Sequence, residues 1–121
     1  MPASQRDLSR LFQLLLAELG PIGVVTVVVG GDGETLDLCI CPDDDAVEER
    51  TMLLFDLYAG DAIGAVCATV RTGRALARPG DHMRFARVRA HARKVGLPLL
   101  DWFIVGDADC RSLRSYHEQG A

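Results

Sequence analysis

The residues best equipped for chemistry lie between Cys67 and Lys94. The stretch CATVRTGRALARPGD, residues 67–81, leaves a run of small apolar residues for a glycine-containing loop with three arginines, Arg71, Arg74 and Arg78, and closes on Pro79, Gly80 and Asp81. Arginine offers five donors in a planar fork that matches carboxylate and phosphate oxygens. The loop, with Arg84 and Arg87 of the helix after it, is therefore a candidate surface for an anion or an acidic partner. Eight basic residues (Arg71, Arg74, Arg78, Arg84, Arg87, Arg89, Arg93 and Lys94) stand here with Asp81 as the only acid, whereas Asp32 to Asp61 is strongly acidic. The net charge of −4 argues against general nucleic-acid binding, and 6% aromatic residues leave little to stack unpaired bases. Nucleic acid is thus one alternative anion and not the favoured one.

Other candidate groups have simpler readings. Asp81 can cap a helix by accepting a backbone N–H of its first turn, worth about 1 kcal/mol. Cys39 and Cys41 share one side of a strand, and with Cys67 and either Cys110 or a histidine they have the donors for zinc, although no C-x-x-C knuckle is present. Cysteine is also among the most buried residue types, and free thiols are the default for a reduced cytosol. Gly30 to Gly33 lack the lysine and following helix of a phosphate loop and read as a hairpin turn. Asp107 and Asp109 suit a tight turn, with a hard cation as the alternative. His82, His91 and His117 are scattered and show no evident acid or nucleophile partner.

These groups need a scaffold. A chain of 121 residues that is 49% hydrophobic is expected to form one domain over residues 1–121. Ser4 and Asp7 resemble a capping box ahead of Leu8, Leu11, Phe12, Leu15 and Leu19, which predicts an amphipathic helix ending at Gly20 and Pro21. Ile22–Val29 reads as a strand buried on both faces, and Thr35–Cys41 as its hairpin partner. A helix over Ala46–Ala59, a strand over Ile63–Val70, a helix from Asp81 to Gly96, a strand over Leu99–Val105 and a short strand at Ser112–Arg114 complete the chain. Within the helix that begins at Asp81, Phe85, Val88, Ala92 and Val95 form the face expected to pack on the sheet. The order α-β-β-α-β-α-β-β predicts a three-layer α/β domain, a mixed central β-sheet flanked by helices. With no leader pattern and no run of about 18 apolar residues, the chain is expected to be cytoplasmic and to have no membrane contact.

From Ile63 onward the sequence resembles the RadC family of bacterial proteins, a branch of the JAB/MPN metalloprotease-like fold with a cytidine-deaminase-like architecture. The likeness is carried by VGLPLLDWFIVGDADCRSLR, residues 95–114, which matches the family's glycine, leucine-aspartate, apolar strand, glycine-aspartate, serine and arginine. Reading back from Gly96 without a gap puts Asp81 on the family's metal-binding aspartate and Gly73 on the glycine of its His-x-His-Pro-Ser-Gly-Asp loop. The two metal-binding histidines then fall on Ala68 and Val70, Pro-Ser falls on Arg71 and Thr72, and a further serine falls on Arg78. The histidine after leucine-aspartate is replaced by Trp102, and the upstream glutamate is represented only by Glu34 or Asp37 in the right region. Alanine and valine have no lone pair to give, and a catalytic zinc takes three protein ligands. No histidine stands between Met1 and Gly80 in any register. The resemblance therefore implies a catalytically degenerate domain with a vestigial Asp81, no cofactor, and a role in binding a protein partner or a second copy. The alternatives are a zinc hydrolase or isopeptidase with altered ligands, and an anion or nucleic-acid binder linked to DNA repair.

Overall fold

The computed structural model of the chain describes residues 23–119. The helix expected over Ser4–Leu19 lies outside the described residues. Within them the order is β1 (Gly23–Val29), β2 (Thr35–Cys41), α1 (Val47–Tyr58), β3 (Gly64–Val70), α2 (Pro79–Val95), β4 (Leu99–Val105), β5 (Cys110–Ser112) and α3 (Leu113–Gln119). The strands form one mixed sheet in the order β2-β1-β3-β4-β5. β1 is antiparallel to both β2 and β3, β3 and β4 run parallel, and β5 turns back against β4. The parallel pair requires a crossover, which α2 supplies.

β3 is buried along its whole length, and β1 through its centre. Their side chains alternate between two apolar clusters, one on each face of the sheet. One holds Val24, Ala65, Cys67, Trp102 and Ile104 with Phe55 of α1, Phe85, Val88 and Ala92 of α2, and Leu113 of α3. The other holds Val25, Val27, Val66, Ala68, Val70, Phe103 and Val105. The face expected on the helix after the arginine loop is thus the one that packs, with Val95 half-buried at its end. Among the described residues no helix is long and apolar enough to cross a membrane.

Two elements differ from expectation by more than one residue. The second of the described helices begins at Pro79, not Asp81, because Pro79 has the fixed φ that suits a first helical residue, and Arg78 is the N-cap in extended backbone. The last expected strand, Ser112–Arg114, is replaced by β5 ending at Ser112 and α3 beginning at Leu113. The Ser112 hydroxyl accepts the Ser115 N–H at 3.0 Å, an N-cap to third-residue bond, and Arg114 pairs with Glu118 one turn on at 2.8 Å.

Candidate functional site

The loop between β3 and α2 is pinned on both sides. On one, Arg71 extends the ladder by donating its N–H to the Val105 carbonyl at 2.9 Å. On the other, the β4–β5 turn holds the loop through both aspartates: Gly73 N–H donates to Asp107 Oδ2 and Ala75 N–H to Asp109 Oδ1, each at 2.8 Å. Asp107 returns its own N–H to the Gly73 carbonyl at 2.8 Å. The contact explains two glycines. Gly73 adopts φ 83°, which disfavours any side chain, and a Cβ at Gly106 would stand 2.5 Å from the Gly73 oxygen. Asp107 and Asp109 therefore do more than shape their own turn.

Asp81 is the centre of the site. Its carboxylate takes the Arg71 guanidinium in a bidentate pair, Nη1 to Oδ2 at 2.6 Å and Nη2 to Oδ1 at 2.5 Å. Oδ2 also accepts the Arg78 N–H at 2.7 Å, so Asp81 caps from the third helical position back toward Arg78, in the opposite sense to the cap expected from sequence. Burial alone would push this carboxyl up. The Arg71 hydrogen bonds, the Arg78 N–H and the charges of Arg71 and Arg84 outweigh it and hold Asp81 below the usual aspartate value. The same hydrogen bonds raise Arg71.

Ala68 and Val70, the positions matched to the family's histidines, do not face Asp81. They belong to the cluster with Val25, Phe103 and Val105, whereas α2 packs on the other face. Alternation along β3 instead sends Cys67 and Thr69 to the α2 face, where the Thr69 hydroxyl accepts the Trp102 indole N–H at 2.9 Å. Glu34 and Asp37 are engaged locally, by Asp32 N–H and by the Tyr58 hydroxyl, both at 2.8 Å.

The five arginines proposed as one surface divide into two groups. Arg71 is committed to Asp81 and lies 3.7 Å from Asp43, Arg84 pairs with Asp43 at 2.9 Å, and Arg87 grips Glu48 with its closest bond at 2.6 Å. Arg74 and Arg78 are exposed and form no ion pair among the described residues. The acidic and basic halves of the sequence thus meet at the surface of one molecule, where α1 and the turn before it face α2.

Strand order also separates the cysteines. Thr26 of β1 is paired with Cys39 on one side and Cys67 on the other, so a whole strand intervenes. Burial pushes the Cys67 thiol up to about 12, with a 3.4 Å contact to the Thr26 hydroxyl opposing the rise. Cys39 and Cys41 are raised as well, burial first. Among the described residues no three His, Cys, Asp or Glu side chains form a metal-holding group. The histidines, in contrast, do find partners: His91 Nε2 meets Asp56 Oδ1 at 2.7 Å, and His82 Nδ1 meets His117 Nε2 at 3.2 Å. Sequence reading missed both because the partners lie 35 residues apart.

No protein-family model matches the chain, and a search of curated proteins finds no match. The site is therefore interpreted from its own geometry.

Asp101 is the other buried carboxylate. It accepts the Ser112 hydroxyl, closest at 2.7 Å, the Trp102 N–H at 2.7 Å and the Arg114 N–H at 3.2 Å, which ties β4 to the start of α3. Its pKa is raised, with burial the first cause and these bonds opposing it.

Proposed function

We propose that the chain is a RadC-like domain of the JAB/MPN type that has given up zinc hydrolysis and works in the bacterial cytoplasm by binding a protein partner or a second copy of itself. The observation that carries this reading is the bidentate Arg71–Asp81 pair. The one residue aligned with a family ligand has both oxygens engaged by a guanidinium and a backbone N–H. The mixed sheet is in keeping with an α/β domain of this kind, and the β3 loop keeps its glycine and closing aspartate at the family's spacing.

Arg74 and Arg78 are the contact residues on this reading. They project from a loop whose backbone is fixed at Gly73 and Ala75, so they can be held toward a partner without ordering the chain first. An acidic surface is the matching chemistry, and rim charges of this kind act mainly on association rate and salt dependence.

The test has two arms. Purified protein supplied with zinc is assayed on an isopeptide-linked substrate, and no turnover above the buffer rate is expected; turnover that disappears in Asp81→Asn overturns the reading. Fluorescence anisotropy with a poly-glutamate peptide at low and moderate salt is expected to show salt-sensitive binding, weakened at least fivefold in Arg74→Ala/Arg78→Ala. Equal binding by that variant removes the loop from the interface.

A further inference from the structure

A cavity of about 460 Å³ opens beside the arginine loop. It is lined by Leu76 and Ala77 of the loop, His82 of α2, and Arg111, Ser115 and Tyr116 from β5 and α3. Leu76 is 53% exposed and Tyr116 62%, so a large aliphatic side chain and a ring are left open to solvent at one site. The walls are tied together. His82 Nδ1 and His117 Nε2 share a hydrogen bond of 3.2 Å between α2 and α3, and the His82 ring lies 4.5 Å from that of Tyr116. On the loop side, Asp109 holds the Ala75 N–H and the Leu76 carbonyl accepts Arg71 Nη1 at 3.4 Å.

The charge around the cavity is of one sign. No carboxylate lines it. Arg111 is exposed and forms no ion pair among the described residues. Arg74 and Arg78, in the same condition, stand two residues to either side of Leu76. The aspartates that reach the loop, Asp81, Asp107 and Asp109, are already engaged by Arg71 and by loop N–H groups. An apolar hollow with a charged rim is the form of an interface anchor site.

We propose that the cavity receives one bulky apolar side chain, aromatic or leucine, of an acidic protein segment whose neighbouring carboxylates meet Arg74, Arg78 and Arg111. This rests on the reading of the loop as a partner-binding surface and names the partner's chemistry. A volume of this size admits a whole side chain of that kind. Burial of the anchor supplies affinity, and the arginines supply association rate and salt dependence. With Tyr116 as the one ring besides His82 in the lining, a peptide is favoured over a single-stranded nucleic acid, which stacks successive bases on a series of aromatic side chains.

The experiment is fluorescence anisotropy of the full chain with two short labelled peptides, one of glutamate alone and one with a central phenylalanine. The phenylalanine peptide is expected to bind at least tenfold more tightly. Leu76→Ser should bring the two peptides within about twofold of each other, with unchanged circular dichroism; Tyr116→Ser, on another wall, should do the same. Arg111→Gln should weaken both peptides at least threefold. Equal affinity for the two peptides, or a phenylalanine gain that survives in both serine variants, overturns the anchor site. Glutamate binding that is still lost in Arg74→Ala/Arg78→Ala would in that case leave the proposed function standing, whereas no binding of either peptide at low salt overturns both. Oligothymidylate bound more tightly than the phenylalanine peptide would assign the surface to nucleic acid and likewise overturn the proposal.

Discussion

Asp81 and Asp101 make a natural pair for comparison. Each is an aspartate of similar burial, 5% and 7% exposed, and each accepts backbone or hydroxyl hydrogen bonds at the beginning of a helix. Yet their pKa values move in opposite directions. Asp101 has four hydrogen-bond contacts, all from neutral donors, and the Arg114 charge is the last and smallest of its influences. Asp81 has a guanidinium in fork geometry. Neutral donors satisfy lone pairs, but here only a paired charge offsets the cost of taking a carboxylate out of water.

The comparison can be broken most directly at Arg71. Arg71→Ala leaves Asp81 buried without its counter-charge and should cost about 3 kcal/mol in urea unfolding at neutral pH. Arg71→Leu/Asp81→Leu should recover most of that loss, because no unpaired charge remains; a double variant as unstable as the single one would show that packing, not charge, is what Arg71 provides. At the other carboxylate, Ser112→Ala removes both a donor to Asp101 and the cap of α3. A loss of about 1.5 kcal/mol is expected, with faster amide exchange confined to residues 113–119. Asp101→Asn keeps the shape and needs no counter-charge, so it should cost only about 1 kcal/mol.

The smallest effect sharpens the comparison most. Asp81 has a folded pKa below the ordinary 3.8, so its contribution is present above that value and is lost as pH falls through the folded pKa. Asp101 has a folded pKa above 3.8, so its contribution is fully present below that value and is lost as pH rises through the folded pKa. Stability measured against pH should therefore lose part of its acid-side fall in Asp81→Asn and steepen there in Asp101→Asn. Parallel shifts in the two variants would contradict the assignment of opposite directions.

Much of the scaffold was legible because β-branched runs and apolar spacing report burial directly. Ile22–Val29 and Ile63–Val70 read as covered strands, and Phe85, Val88, Ala92 and Val95 read as one packed helix face. The site was less legible, for reasons that are spatial. Alternation along β3 decides that Ala68 and Val70 face away from α2, and that depends on which face the helix covers. The neutralisation of Arg84 and Arg87 requires α1 to lie beside α2, which no local pattern encodes. Cys39 and Cys67 stand on strands separated by β1, a separation set by strand order and not by spacing along the chain. The third of the described helices did leave a signal, Ser112 followed by Ser115 and the Arg114–Glu118 spacing, but seven residues are too few for periodicity to outweigh a strand reading.

The Arg71–Asp81 pair has a further consequence for how the fold responds to its surroundings. A carboxylate that relies on a dissolved ion is filled only as far as the supply of that ion allows, and a chelator can empty it. Here the counter-cation is attached to the backbone ten residues away, at a local concentration no solute can match. Occupancy at Asp81 is consequently indifferent to metal starvation, and it is set once, when the chain folds.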